Sequence, residues 1–339
     1  MATMNDIESY LTPYKYGKPI LAPSGIKGEF DCYGADNARI FRHHGKIYLM
    51  YIGFDGEGYQ TALATTEDMV NFKKLGVILG KDKASKLQKG GRAVSCLLCD
   101  VDLYGNRNLI KVDNKYWLFY HAYPEVGYEA GSAANYVAWA EDESLLNWHC
   151  TDEPVFQKGN AGQWDSGGLY SMWVIQTHDG YRMYYNGKTQ LNWPWLEQVG
   201  MATSQDFVHW KRYENNPIFK VTPGRWDSAF ACGQHVLYDS RKKRWVMFYC
   251  GYDGKTHAME GVAISDDGIH FEKHPEPIIK SGKRGELDGV HAHKPCVFYH
   301  HDTLYHIYCA VREALPEEKE RFGREFRCLT IAASKPFEY

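Results

Sequence analysis

The stretch WDSAFACGQHVLYDSRKKRWVMFY, residues 226–249, runs from an acidic residue through an apolar strand and a hairpin into an aromatic strand that ends in tyrosine. The same order of features occurs in FDCYGADNARIFRHHGKIYLMY (30–51), CDVDLYGNRNLIKVDNKYWLFY (99–120), WDSGGLYSMWVIQTHDGYRMYY (164–185) and LDGVHAHKPCVFYHHDTLYHIY (287–308). The aspartate and the final tyrosine are 20 positions apart in four copies and 22 in the copy at 226–249. A repeat of about 60 to 70 residues built from short strands is typical of radial all-β arrays. The sequence therefore predicts an all-β fold, a five-bladed β-propeller.

Each copy continues into a third strand, and most copies then reach a short edge strand that contains proline. Third strands read YQTALATT, NYVAWAED, QVGMATSQ and EGVAISDD, and the proline motifs are EPVF, NPIF and EPII. Proline suits an edge strand because its missing N–H leaves no ladder partner unsatisfied. The same motif, KPIL, occurs at Pro19 before the first copy, whereas the last copy has no room for a fourth strand. We therefore expect residues 1–339 to form one domain in which the N-terminal segment supplies that strand and closes the ring.

Composition narrows the class of partner. The net charge is −3 and the basic residues do not cluster, which argues against nucleic acid as a main partner. Aromatic residues make up 15% of the chain, with 25 tyrosines and 10 tryptophans, which suits strands and a pocket that stacks sugar rings.

The N-terminus lacks a signal-peptide pattern and no 18-residue apolar run occurs, so we predict no membrane span. The nine scattered cysteines lack zinc-site spacing and favour a reducing, cytoplasmic location.

The repeated aspartates have two interpretations. A residue that recurs in every blade is expected to be architectural, its carboxylate accepting backbone N–H bonds where the inner strand begins. The alternative is that the acids contact a sugar, because the loops before each inner strand are predicted to open onto the ligand-binding end of the axis, together with loops such as HAYPEVGYEAGS and NGKTQLNWPWLE. The five acids are Asp31, Asp100, Asp165, Asp227 and Asp288.

Departures from the repeat are the stronger functional candidates, because architecture does not require them. Five positions after the aspartate, the copies carry Asp36, Gly105, Tyr170, Cys232 and His293. The next position carries Asn37, Asn106, Ser171, Gly233 and Lys294. At these two positions, only the first copy has a carboxylate, and only the last copy has a histidine followed by a lysine.

The fragments GADNARIFRHHGKIYLMY, WDSGGLYSMWVIQTHDGYRMYYNG and WVMFYCGYDG resemble the blades of five-bladed glycosidases. These comprise the arabinofuranosidase/xylosidase superfamily called glycoside hydrolase family 43, the mannoside phosphorylase group and the anhydrogalactosidase group, and the resemblance covers nearly the whole chain. It implies a general base in an Asp-Pro pair on the first inner strand. Asp36 is the nearest match, one residue out of register and followed by Asn37 in place of proline.

The other catalytic residues implied by the resemblance are matched less fully in this sequence. The second inner strand of the family carries an aspartate that tunes a pKa, yet Asn108 occupies the aligned place and Asp102 is the nearest carboxylate. No glutamate lies on a predicted inner strand, where the family has its general acid. Some members of the anhydrogalactosidase group use a histidine acid, and His293 lies on the matching strand.

The sequence thus predicts an exo-acting, inverting glycosidase for a small oligosaccharide, with Asp36 as base and the acid drawn from His293, Asp102 or a rim carboxylate such as Glu125. A glycoside phosphorylase and a non-catalytic sugar-binding propeller remain alternatives. Cations available for phosphate are Arg107, Lys294 and Arg312, and further expected sugar contacts are Asn106, Trp193 and Trp195. We expect no cofactor, although a structural ion near the axis, held by His235, His291 or His293, is left open, as is the oligomeric state.

Overall fold

The predicted all-β fold is confirmed by the computed structural model, which describes residues 7–338. The outermost positions of the predicted domain, residues 1–6 and 339, lie outside the described residues. Helix is limited to two 3₁₀ turns, Glu8–Tyr10 and Pro316–Glu318, and to α1 (Lys319–Phe322) within that range. None of these helices is long and apolar enough to cross a membrane.

The strands, in chain order, are β1 (Tyr14–Lys15), β2 (Gly34–His43), β3 (Lys46–Phe54), β4 (Tyr59–Thr66), β5 (Phe72–Leu79), β6 (Gly91–Leu97), β7 (Lys111–Val112), β8 (Lys115–Tyr123), β9 (Ala134–Ala140), β10 (His149–Cys150), β11 (Gly168–Thr177), β12 (Gly180–Lys188), β13 (Glu197–Ser204), β14 (Lys211–Arg212), β15 (Phe230–Asp239), β16 (Arg244–Tyr252), β17 (Met259–Ser265), β18 (Glu272–Lys273), β19 (His291–His300), β20 (Thr303–Glu313) and β21 (Glu325–Ala333). They pair antiparallel in five groups: β2-β3-β4-β5, β6-β8-β9-β10, β11-β12-β13-β14, β15-β16-β17-β18 and β19-β20-β21-β1. The short β7 adds to β8.

Tight hairpins join the first two strands of most groups. In the first group, β2 and β3 are connected by His44 and Gly45 alone, with φ values of 48° and 75°. Two consecutive residues with positive φ form the turn whose twist matches that of the flanking strands, and glycine at the second position makes it accessible. The hairpin therefore fixes the register of β2, which begins at the cavity described below.

A β-bulge interrupts the first strand of every group at an equivalent place. In β2 it falls between Asp36 and Arg39, and in β19 between His293 and Cys296. The bulged residues Asn37, Gly233 and Lys294 have φ values of 51°, 63° and 66°. Bulges redirect neighbouring side chains. Here they direct the side chains of several inner strands towards one shared cavity.

The second predicted copy was placed wrongly. The first strand of the second group is β6, which lies upstream of Asp100, and Gln88 takes the place of the repeated aspartate. The Tyr120 hydroxyl donates to Gln88 Oε1 at 3.0 Å. Residues 98–110 form an inserted segment between β6 and β8, which happens to place Asp100 20 positions before Tyr120. The repeat spacing therefore matched, but the aspartate was not the equivalent residue.

The other repeated aspartates are buried supports of the strand groups, which agrees with the architectural interpretation. Asp288 accepts a hydrogen bond from the Tyr308 hydroxyl at 2.9 Å and forms an ion pair with Lys15 at 2.7 Å. Equivalent contacts join Asp165 to Tyr185 and Arg212, Asp227 to Tyr249 and Lys273, and Asp31 to Lys74. The cation comes from the fourth strand in each case.

The N-terminal strand β1 pairs with β21 and occupies the fourth position of the last group. Its register joins Tyr14 to Ala333 and Lys15 to Ala332. Next to it, the KPIL motif continues along the same edge, where Ile20 N–H donates to Leu329 O at 2.8 Å. Residues from the two ends of the chain thus complete one strand group.

Candidate active site

A cavity of about 610 Å³ opens where the first strands of the five groups begin. Each group contributes lining side chains, so the cavity lies at their common centre. The lining includes Asn37, Ile52, Tyr59, His121, Tyr123, Tyr128, Glu129, Tyr170, Ser171, Asn186, Lys188, Trp193, Trp195, Glu197, Phe230, Cys232, Tyr252, His291, His293, Lys294 and Arg327. A mostly apolar, aromatic wall with a few convergent polar groups is the usual form of a small-molecule site.

Asp36 is buried beside this cavity between two cations. Its Oδ2 lies 2.5 Å from Lys294 Nζ and 3.3 Å from Arg327 Nη1, and its Oδ1 accepts the Asn37 N–H at 2.7 Å. Burial favours the neutral acid, but the charges of Lys294 and Arg327 outweigh it and hold the pKa of Asp36 well below its usual range. Asp36 is therefore ionised throughout the physiological pH range.

His293 is a neutral imidazole in this environment. Its Nδ1 lies 3.2 Å from Cys309 O, an acceptor only, so Nδ1 carries the proton. Its Nε2 then accepts from Arg327 Nη1 at 3.3 Å. Burial, followed by the charges of Lys294 and Arg327, holds the pKa of His293 well below its usual range. The ring thus has no acidic proton to give to a leaving group near neutral pH.

A second charged cluster joins Glu129, Lys188 and Glu197. Lys188 Nζ lies 3.3 Å from Glu129 Oε2 and 3.6 Å from Glu197 Oε1. Glu197 also accepts from Trp195 Nε1 at 2.8 Å and from Asn186 Nδ2 at 2.9 Å. Burial raises the pKa of Glu129, yet the charges of Lys188 and Lys294 exceed that effect and lower it overall.

The geometry sets an upper limit on the separation of the two glutamates. Because both carboxylate oxygens contact one ammonium nitrogen, they lie within about 7 Å of each other, a limit compatible with the separations of paired carboxylates in glycosidases. Lys188 is held by these charges and by the rings of Tyr170 and Trp195, whose centroids lie 4.0 and 4.6 Å from its nitrogen.

Aromatic side chains cover one wall of the cavity. Trp193 is half exposed, and its ring meets that of Trp195 edge-on at 5.0 Å. Trp195 in turn stacks on Phe230 with a centroid distance of 6.1 Å. The two predicted tryptophans therefore lie in the cavity, and they leave an open apolar face for a ligand.

Two buried polar atoms of the cavity residues have no hydrogen-bond partner in the described chain. They are the hydroxyl of Tyr170 and Oδ1 of Asn186. Buried polar atoms are almost always hydrogen-bonded. Since both residues line the cavity, a ligand hydroxyl is a suitable partner for each.

Asp36, His293 and Cys309 offer ligand atoms within 4.8 Å of one another, which is close enough for a metal ion. Arg327 Nη1, however, contacts all three, at 3.3, 3.3 and 3.7 Å. A guanidinium group thus already supplies the positive charge at this point. Another group, His43, His44 and Glu143, lies outside the cavity, where Lys111 pairs with Glu143.

Four of the predicted site residues lie at the far end of the strands. Asp100, Asp102, Asn106 and Arg107 belong to the segment that follows β6, whereas the cavity is at the start of that strand. Asp102 accepts from the Ser240 hydroxyl at 2.9 Å, and Asp100 accepts the Asn106 N–H at 3.1 Å. These contacts hold the inserted segment in place, so none of the four residues reaches the cavity.

Arg107 and Arg312 have structural partners of their own. Arg107 is buried, donates to Asp100 O at 3.2 Å and contacts His235 Nε2 at 3.1 Å. Arg312 forms two bonds to Glu318, at 2.6 and 2.8 Å. Glu125 is exposed in the loop after β8 and does not line the cavity. Of the predicted residues, Asp36, His293, Lys294, Trp193 and Trp195 are thus brought together.

Four charged residues of the cavity were not predicted from the sequence: Glu129, Lys188, Glu197 and Arg327. The two glutamates lie in or beside the loops HAYPEVGYEAGS and NGKTQLNWPWLE, which were expected to open onto the ligand-binding end. A search restricted to inner strands excludes them, because Glu197 begins a third strand and Glu129 lies on a loop. Arg327 had no distinguishing signal beyond being a cation in an apolar strand.

Comparison with known proteins finds carbohydrate-active enzymes among the relatives of this chain. The model for the glycosyl hydrolases family 32 N-terminal domain matches residues 198–320. The chain is 30% identical to the sucrose-6-phosphate hydrolase of Bacillus subtilis over 132 residues, 37% of this chain and 25% of that protein. It is 24% identical over 259 residues to the 1,2-beta-oligomannan phosphorylase of Thermoanaerobacter sp. (strain X514), covering 73% of this chain and 72% of that protein.

Among solved structures, that of BT0996 in an RGII complex superimposes with a TM-score of 0.84 and 26% identity over 98% of this chain and 94% of that protein. The chain spans only 25% of the length of the sucrose-6-phosphate hydrolase and 57% of a further curated relative. These comparisons confirm the predicted resemblance to the five-bladed glycoside hydrolases, and they support the prediction that the chain is a glycosidase.

Proposed function

We propose that this protein is an exo-acting glycoside hydrolase that cleaves a small oligosaccharide or glycoside within the 610 Å³ cavity. The observation that carries the proposal is the pair of glutamates, Glu129 and Glu197, on either side of Lys188 in an aromatic cavity. Glycosidic cleavage needs one carboxyl group to protonate the leaving oxygen and another to activate water or attack carbon.

The role of Glu129 follows from the charges around it, and Glu197 takes the complementary role in the pair. Glu129, whose pKa is lowered, stays ionised and is assigned as the base that activates water. Glu197 is assigned as the acid that transfers its proton to the leaving oxygen. We retain inversion as the proposed outcome. The limit of about 7 Å includes both the separation of about 5–5.5 Å of retaining enzymes and the lower end of the range of about 6.5–9.5 Å of inverting ones, so the anomeric configuration of the released sugar is the test.

Asp36 and His293 receive roles other than the expected base and acid. The Asp36 Oδ2 atom contacts both Lys294 and Arg327, so Asp36 is assigned to positioning these two cations. His293 is assigned as an uncharged neighbour of Arg327. Trp193 stacks on the apolar face of a sugar, and Asn186 Oδ1 accepts a bond from one of its hydroxyls.

The fold supports an axial site. We infer that the five strand groups are the blades of one propeller ring, which β1 closes by pairing with β21. Lys15 supports this inference, because it contacts Asp288 as Lys74, Arg212 and Lys273 contact the aspartates of other groups. The nine free cysteines are consistent with the expected cytoplasmic location, which we keep as part of the proposal.

Phosphorolysis is the second candidate, favoured by the similarity to an oligomannan phosphorylase and by three cations in the cavity. Hydrolysis is preferred because Lys188, Lys294 and Arg327 each contact a carboxylate. The decisive assay incubates the protein with 1,2-β-oligomannan, RGII oligosaccharides and aryl glycosides, with and without phosphate. Phosphate-independent release of sugar supports hydrolysis, and strictly phosphate-dependent release overturns it. If no substrate is cleaved under either condition, the enzymatic proposal fails.

A further inference from the structure

A second chamber adjoins the axial cavity between the first and last strand groups. Its volume is about 480 Å³, and its walls include Tyr33, Asp36, Phe54, Arg324 and Glu325. Four residues line both spaces, namely Ile52, Tyr59, Tyr128 and Arg327. The two chambers therefore lie next to each other along these four residues.

Tyr128 marks the boundary between them. It is 55% exposed and belongs to the loop that follows β8, yet its ring lies edge-on to Phe54 at 5.7 Å and near Tyr59 at 6.1 Å. The Gly127 N–H donates to Glu57 O at 2.7 Å, which ties this loop of the second group to the first group. The loop is therefore held against the first group, and its Tyr128 lines both chambers.

The chamber has the chemistry of a sugar site. Its aromatic surface comes from Tyr33 and Phe54, and flat apolar rings pack on the C–H faces of sugars. Glu325 and Arg327 also line the chamber and pair at 3.2 Å. Arg324 is exposed and, within residues 7–338, has no carboxylate within 4.0 Å, so its donors are available to ligand hydroxyls.

Charge in the chamber favours a neutral ligand. Among the residues that line the chamber, Asp36 and Glu325 balance Arg324 and Arg327 in formal charge, and Asp36 and Glu325 are already paired with cations, so the lining requires neither a strongly anionic nor a strongly cationic group. The backbone conformation at Gly56 also contributes to the form of the chamber. An added Cβ at Gly56, whose φ is 90°, would approach the Tyr33 ring to 2.9 Å, so glycine here allows the ring to lie against the chain.

We propose that this second chamber is a binding subsite for a further, uncharged sugar unit, so that the substrate is an oligosaccharide that spans both chambers. This inference rests on the proposed function, since it assumes that the axial cavity holds the sugar next to the cleaved bond. It adds that recognition includes the neighbouring unit, bound between Tyr33 and Arg324.

Binding to the full chain carrying Glu197→Gln tests the subsite without turnover. Calorimetry would compare methyl monosaccharides with 1,2-β-oligomannan and RGII oligosaccharides of two or more units. We expect the longer ligands to bind more tightly. Adding Tyr33→Ala should weaken them about five- to tenfold, the effect of one lost aromatic contact, and leave monosaccharides unchanged. Arg324→Ala, at an exposed position, repeats the test with little risk to folding.

Tyr213→Ala is the matched control, because Tyr213 is half-buried and lines neither chamber. Equal affinity for short and long ligands, or an equal loss for both in the Tyr33 and Arg324 variants, would overturn the subsite. Lack of any binding overturns it as well. Failure of the proposed function is a separate result, seen when the unmodified protein cleaves nothing although Glu197→Gln still prefers the longer ligands.

Discussion

Lys188 Nζ lies between two cavity carboxylates, 3.3 Å from Glu129 Oε2 and 3.6 Å from Glu197 Oε1. The side chain of Lys188 is only 4% exposed, so solvent screens these contacts weakly. Burial alone would lower the pKa of Lys188, but the two glutamates raise it overall. This arrangement keeps the lysine charged and, with Lys294, lowers the pKa of Glu129.

Removing either glutamate should abolish turnover and preserve the fold. We expect Glu197→Gln and Glu129→Gln each to lower kcat about 10²–10⁴-fold, the usual contribution of a general acid or base. Initial rates with an aryl glycoside and with an oligosaccharide would measure this effect. Glu125→Gln is the control, since Glu125 lies outside the cavity. Normal rates in both glutamate variants would refute the assignment.

Neutralising Lys188 should shift the pH dependence of the reaction. In Lys188→Met the cation that lowers the pKa of Glu129 is lost, so that pKa rises and the acidic limb of the kcat profile moves to higher pH. The exposed Lys211 provides the control variant Lys211→Met. An acidic limb at its original position would show that Glu129 does not titrate in the catalytic step.

Substitution of Asp36 tests whether this residue has a positioning role or a catalytic one. Asp36→Asn leaves Lys294 and Arg327 without their carboxylate, so we expect the free energy of unfolding to fall by about 3 kcal/mol along with activity. Urea unfolding and initial rates would be measured together. Asp102→Asn makes the same change at the far end of the strands and should retain activity. Full stability of Asp36→Asn combined with complete loss of turnover would instead favour the original base assignment.

The ion pair of β1 gives a test of ring closure. Lys15→Met removes the cation from buried Asp288, whose remaining side-chain bond within residues 7–338 comes from Tyr308, and should lower the free energy of unfolding by about 1–3 kcal/mol. Lys27, an exposed residue, offers the control variant Lys27→Met. If the two variants unfold at the same urea concentration, β1 does not contribute to stability in this way.

Stability should decline as pH falls below about 6.5, the usual pKa of histidine. Burial lowers the pKa of His121 to about 3 and that of His291 to about 4. The unfolded chain therefore binds more protons than the folded chain between these values and about 6.5, so acid favours unfolding, and the stability present above pH 6.5 is lost progressively. Melting temperatures measured from pH 7.5 to 4.5 would show this slope. In His121→Asn the slope should be shallower, and an unchanged slope would exclude His121 as a contributor.

Part of the architecture could be predicted because the residues that determine it lie close together in the sequence. Each strand pair, hairpin and aromatic ending lies within about 25 consecutive residues, and Pro19 preserved the edge-strand pattern far from its partner. The second strand group was misassigned because Asp100, which belongs to the inserted segment, lies 20 positions before Tyr120, the same spacing as between aspartate and tyrosine in three of the other copies. A glutamine at position 88 performs the role of the aspartate, and no spacing rule anticipates such a replacement.

The sequence by itself determined the repeating all-β pattern and the unusual residues Asp36, His293 and Lys294, since a departure is visible once the repeat is aligned. Only the tertiary structure decided which charges meet. Glu129 follows β8, Glu197 begins β13 and Arg327 lies in β21, so their contacts join residues far apart in the sequence. The protonation of Asp36 and His293 was decided by the same kind of contact. A pKa depends on burial and on the nearest charges, and both arise only when the strand groups come together around the cavity.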